Sequence, residues 1–189
     1  MPDLNRLLKL LLENKFEFVL IGGYASVLYG SSQTTRDVDI CMEINSNVIL
    51  RLRSVLSPFR PWHRQTPKKL TFLEHPSDIA EEKLPSKWIN TMPSRDEQFL
   101  APGWRERLTV YYEGNHLRVF LIGRKDMVGL KIAAAFDRQR FDADDLLAMN
   151  PTPEEWAFGQ EWARNYDANP DWPQLIDELV ENLKERQGA

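Results

Sequence analysis

The chain has 189 residues, 42% of them hydrophobic, 28% charged and 11% aromatic, with a net charge of −4. No stretch approaches the ~18 consecutive apolar residues of a membrane span, and the composition suits one globular core. A single cysteine, Cys41, excludes an intramolecular disulfide and fits a reducing cytoplasm. The three histidines, His63, His75 and His116, stand too far apart for metal-ligand spacing, so no zinc site is expected.

The N-terminus lacks a charged-then-apolar leader with a small-residue cleavage site, so no signal peptide is expected. Instead Leu4, Leu7, Leu8 and Leu11 recur at helical spacing and predict an amphipathic helix with one buried stripe. Phe16 to Ile21 is short, aromatic and branched and stops at Gly22-Gly23, which predicts a buried strand. Residues 24–29 read as helix, broken by Gly30-Ser31-Ser32. Asp37 to Cys41 is a second strand, and Asn47 to Leu56 a second amphipathic helix closed by Pro58 and Pro61.

Residues 60–69 form a basic loop in which Arg60, Arg64, Lys68 and Lys69 are interrupted by Trp62 and His63. Such a loop is ordinarily a solvated one, although the mixture also suits single-stranded nucleic acid. Leu70 to Leu73 and Lys87 to Ile89 are weaker strand candidates. Leu108 to Tyr112 and Leu117 to Ile122 flank Gly114-Asn115 and predict a hairpin. From Asp126 onward the pattern is helical. Thr152-Pro153-Glu154-Glu155 supplies a cap, a first-turn proline and a glutamate three residues on, and Asp171-Trp172-Pro173-Gln174 repeats that logic. The tryptophans of this tail are expected to pack in the core and between helices. Formal charge falls along the chain, from +4 over residues 1–69 to −2 over 70–149 and −6 over 150–189. The positive first third is the expected place for an anionic substrate.

Chemistry concentrates in residues 18–44. Glycines between a strand and a helix let a phosphate approach the backbone N–H groups of Gly22 and Gly23. Asp37 and Asp39 are two apart, so on a strand both carboxylates leave one face while Val38 and Ile40 enter the core. Two adjacent carboxylates repel unless a cation or donor neutralises them, and hard oxygen ligands suit Mg²⁺ that also meets nucleotide phosphates. The alternative is an exposed strand face whose aspartates pair with Arg36 or another base.

The strand ending in Gly22-Gly23, then Gly30 and Thr35-Arg36-Asp37-Val38-Asp39-Ile40, resembles the nucleotidyltransferase fold shared with DNA polymerase β. Within that fold it is similar to small bacterial proteins of toxin–antitoxin and abortive-infection systems. Residues 123–149 add to the likeness through Lys131, Asp142, Asp145 and an arginine, either Arg138 or Arg140. The resemblance implies an α/β (α+β) fold with a mixed sheet flanked by helices. The organisation is then a nucleotidyltransferase-like core over 1–123 and a helical region over 124–189. It further implies that Gly22 and Gly23 cradle an NTP, that Asp37 and Asp39 are catalytic and bind Mg²⁺ or Mn²⁺, and that Lys131 contacts a phosphate.

Members of that fold complete the site with a third carboxylate on a neighbouring strand. Here the matching strand offers Asn90, whose amide can ligate a cation but cannot take a proton. Glu74 and Asp78 are the other candidates. Two functions follow. One is transfer of a nucleotide to a hydroxyl on RNA (tRNA) or protein. The other is a catalytically incomplete module that binds nucleotide or a partner protein, as antitoxin or regulator. Asp142, Asp144 and Asp145 open a helix, where they would complement its dipole, and Asp142 and Asp145 could pair with Arg138 or Arg140.

Overall fold

The computed structural model describes residues 4–31, 38–43, 45–59, 91–92, 102–114, 117–138, 141–167 and 169–188. The first helix, α1 (Leu4–Glu13), buries Leu8 and Leu11 on one stripe. It ends in a Schellman turn, with Phe16 N–H donating to Leu11 O and Lys15 N–H to Leu12 O. Lys15 takes the left-handed position at φ 56°, where glycine is usual. The guanidinium of Arg51 closes this end, donating to Asn14 O at 2.5 Å and lying 4.6 Å from the Phe16 ring.

Phe16 and Phe18 are buried, but the paired strand is shorter than the apolar run: β1 is Val19–Ile21. The chain is still leaving the helix turn at residue 16, so only its last three residues enter the sheet. β1 passes directly into α2 (Gly22–Leu28), and β2 is Asp39–Glu43. α3 (Ser46–Leu56) starts at Asn45, whose side chain accepts the N–H of Val48. β3 is Thr91–Met92, and the predicted hairpin is present as β4 (Thr109–Gly114) and β5 (Leu117–Leu121).

These strands form a mixed sheet in the order β3-β2-β1-β5-β4. β1 runs antiparallel to β2 and parallel to β5, β2 runs parallel to β3, and β4 is antiparallel to β5. The registers that matter for the site are Ile21 opposite Asp39 and Val19 opposite Cys41. Cys41 is buried although period two sets it on the face of Asp39, and Val38 and Ile40 are partly buried against the core.

The rest of the described chain is helical: α4 (Arg124–Arg138), α5 (Phe141–Met149), α6 (Pro153–Arg164) and α7 (Trp172–Gly188). The boundary read between residues 123 and 124 falls at the start of α4, which packs on α2 and so joins the sheet side to the helical side. α6 begins with the predicted capping box, Thr152 and Glu155 each satisfying the other's backbone N–H. α4 and α6 cross at two glycines. A Cβ on Gly159 would stand 2.9 Å from the backbone N of Gly129, and one on Gly129 would stand 2.8 Å from the Trp162 ring. The tail tryptophans pack as expected: Trp156 and Trp172 are buried, and Trp172 Nε1 donates to Ala163 O at 2.6 Å. Among the described residues no helix is long and apolar enough to cross a membrane.

Candidate active site

The junction of β1 and α2 has no intervening loop. Ile21 ends the strand, extended at φ −133°, and Gly22 turns the chain at φ +65°. Only glycine takes that conformation at little cost. Ile21 occupies the cap position of α2 and has no side-chain oxygen to offer its N–H groups. β2 supplies one instead. Because Asp39 lies opposite Ile21, its carboxylate reaches the first turn of α2, and Gly23 N–H donates to Asp39 Oδ2 across 3.4 Å.

The fit over Gly22 is close. A Cβ there would come within 2.1 Å of Asp39 Oδ2, 2.6 Å of its Cγ and 2.7 Å of its Cβ. Gly22 thus does two jobs. It turns the strand into the helix, and it leaves the room in which the Asp39 side chain sits.

A carboxylate has about four lone-pair directions. The Asp39 carboxylate is a hard oxygen donor, the chemistry that half of a two-carboxylate Mg²⁺ site needs. Among the described residues no three His, Cys, Asp or Glu side chains gather into a metal cluster. Asp37, the expected second ligand, lies outside the described residues, as do Asn90, Glu74, Asp78, Arg140 and the basic loop of residues 60–69. The residue after Asn90, Thr91, pairs with Met42 of β2, so the chain there does run beside the strand that bears Asp39.

Lys131 sits on α4 with a side chain only 6% exposed. Its ammonium donates to Asp142 Oδ1 at 2.6 Å and to Asp145 Oδ2 at 2.5 Å. Asp145 also accepts the hydroxyl of Ser31 at 2.5 Å. The two aspartates read as arginine partners thus hold Lys131, while Asp144 meets Arg186 at 3.4 Å on the surface. The phosphate contact that the resemblance implies for Lys131 would have to share an ammonium already held by these two carboxylates. Asp142 and Asp145, one turn apart on α5, and a lysine on an apolar helix were the signals present in the sequence. The link to Ser31, 114 residues away from Asp145, left none.

Further contacts fix the C-terminal end of α2. Tyr29 Oη donates to Ile122 O at 2.6 Å, and burial raises its pKa above the ordinary 10. Arg124 donates to Tyr29 O, Met149 O and Asn150 O, and pairs with Glu155 at 2.8 Å. One guanidinium therefore serves the C-terminal carbonyls of both α2 and α5, where a cation complements the helix dipole. On the neighbouring turn, Arg107 forms a two-pronged pair with the buried Asp126, at 2.8 and 2.6 Å.

A mixed sheet, glycines at the end of β1 and an aspartate of β2 seated over them define a nucleotidyltransferase type of fold. Residues 2–150 match the model of a family described as nucleotidyltransferases of unknown function (DUF6036), and the chain belongs to that family. The match takes in α4 and α5 together with the sheet. Among solved structures, the chain is similar to an antigenic nucleotidyltransferase-like protein from Paracoccidioides brasiliensis, with a TM-score of 0.51 and 17% identity. That likeness covers 97% of this chain and 89% of the other, and at this identity it concerns the fold alone. Among curated proteins, none matches the chain.

Proposed function

We propose that the protein is a nucleotidyltransferase that uses Mg²⁺ (or Mn²⁺) to move a nucleoside monophosphate from an NTP to a hydroxyl on RNA (tRNA) or on a protein. The observation that carries this reading is the Asp39 carboxylate seated over Gly22 and beside the N–H of Gly23. Asp37 and Asp39 would hold the cation, and the backbone at Gly22-Gly23 would receive the triphosphate. When bound, Mg²⁺ supplies charge neutralisation at the phosphates.

The acceptor oxygen attacks the α-phosphorus in line, and the bond from that phosphorus to the bridging oxygen breaks. Pyrophosphate leaves with the electron pair, and the hydroxyl proton passes to a carboxylate or to water. The chain's work is positioning, which can supply most of the acceleration in such a transfer. The positive first third of the sequence supports an anionic substrate, and the resemblance to toxin–antitoxin proteins supports a role as one component of such a pair.

The test is incubation with each α-labelled NTP, Mg²⁺ or Mn²⁺, and either tRNA or cell lysate. Label should enter an acceptor with the wild type and not with Asp39→Ala or Asp37→Ala. NTP binding without transfer to any acceptor would sink the proposal and leave the binding module, antitoxin or regulatory partner, that Asn90 suggests.

A further inference from the structure

The buried groups around Lys131 connect to the Asp39 seat through hydrogen bonds joined by the frames of two serines. Lys131 Nζ donates to Asp145, and Ser31 Oγ donates to the other oxygen of the same carboxylate. Ser31 N–H donates to Ser26 O at 2.9 Å, and Ser26 Oγ donates to Gly22 O at 3.0 Å. Gly22 is the residue on which Asp39 rests, and Gly23 N–H is the donor that Asp39 accepts.

Ser26 is fully buried and Ser31 is 6% exposed, so both hydroxyls have left water and bond to protein groups instead. A hydroxyl that bonds the carbonyl four residues back usually loosens or bends a helix rather than strengthening it. Here it acts at the one residue of α2 whose φ is positive, where the carbonyl direction is set by the turn.

We propose that Lys131 and Asp145 are positioning residues, which act through Ser31 and Ser26 to hold the Gly22 turn on which Asp39 is seated. They touch neither phosphate nor acceptor. Their contribution to transfer, which rests on the function proposed above, is to fix the carboxylate that does. Satisfied polar networks of this kind rigidify what they join, and their members act as a unit rather than as separate increments.

The experiment uses the full chain and two independent readouts, amide hydrogen exchange at Gly23 without ligand, and kcat and KM for NTP. Ser31→Ala should speed Gly23 exchange about tenfold, the scale of one buried hydrogen bond, while amides of α6 and α7 keep wild-type rates. Asp145→Asn should move Gly23 in the same direction, and Ser31→Thr, which keeps the hydroxyl, should restore it. kcat should fall about tenfold in Ser31→Ala with KM for NTP little changed, and Lys131→Met/Ser31→Ala should be no worse than Lys131→Met alone. Wild-type Gly23 exchange in both Ser31→Ala and Asp145→Asn would overturn the inference, whether or not the protein proves to be a transferase. So would a KM rise confined to Lys131→Met, the sign of a direct phosphate contact. Loosened Gly23 amides in a protein that transfers nothing would uphold the inference and refute the function.

Discussion

Replacing Gly22 with alanine tests the geometry of the site with one methyl group. Two costs add. An L-residue at φ +65° costs about 1–2 kcal/mol. The new Cβ also enters space already filled by Asp39, 2.1 Å from Oδ2, 2.6 Å from Cγ and 2.7 Å from Cβ. Rotating the Asp39 side chain moves the first two atoms but not the third, so β2 and the turn must separate. Overpacking of that kind costs about 1–3 kcal/mol. The loss should therefore be about 2–5 kcal/mol, a large fraction of a domain's ~5–15 kcal/mol. Urea unfolding measures it, and calorimetry with Mn²⁺ should show weakened binding in the same variant. Asp39→Ala removes Cγ and Oδ2 but leaves Cβ and the strained φ. The double variant Gly22→Ala/Asp39→Ala should thus be more stable than the sum of the single losses by ~1 kcal/mol or more. The reasoning fails if Gly22→Ala lies within ~0.5 kcal/mol of wild type, or if the two losses simply add.

Arg107→Met leaves the carboxylate of Asp126, 1% exposed, without its two-pronged partner, and should cost about 3 kcal/mol in urea unfolding. A loss under ~1 kcal/mol would show that Asp126 is satisfied without it. For Tyr29 the pKa is raised in the folded state, chiefly by burial, so its contribution is complete below the unfolded value of about 10. It is lost as pH rises from there through the folded pKa. Tyr29→Phe, which removes the bond to Ile122 O, should be about 1 kcal/mol less stable than wild type at pH 8, and the gap should narrow by pH 11. A gap that widens with pH would contradict the sign. At the third carboxylate, Asn90→Asp should raise transfer by the ~10²-fold scale of one general base if Asn90 stands in that place. If Glu74 or Asp78 fills the role, Glu74→Gln or Asp78→Asn will silence an already active wild type, and an unchanged rate in all three variants would remove the idea.

Much of the architecture was legible in the sequence because its causes are local. Leucine spacing gave α1, the glycine-flanked apolar run gave β1, and two apolar runs flanking Gly114-Asn115 gave the hairpin β4–β5, while the strand read over Asp37 to Cys41 is present as β2, displaced to Asp39–Glu43. Thr152, Pro153 and Glu155 marked the start of α6 to the residue, since a capping box closes within four residues of chain. Local signals were weaker where neighbours set the outcome. The run from Phe16 pairs only from Val19, because Phe16 and Phe18 are buried in leaving the α1 turn instead of joining the sheet.

The candidate site divides in the same way. The sequence determined that glycines end a strand and that an aspartate follows on the next, which was enough to point to phosphate and cation chemistry. The register that sets Asp39 opposite Ile21, and so over Gly22, is a property of the folded sheet. The partner of Lys131 is likewise tertiary. Asp142 and Asp145 receive Lys131 because α4 and α5 pack so that its ammonium lies between the two carboxylates. Ser31 meets Asp145 because α2 packs on α4, and α4 in turn packs on α5. A periodic pattern records which face of an element is buried, whereas the identity of the group across that face depends on where another element comes to rest.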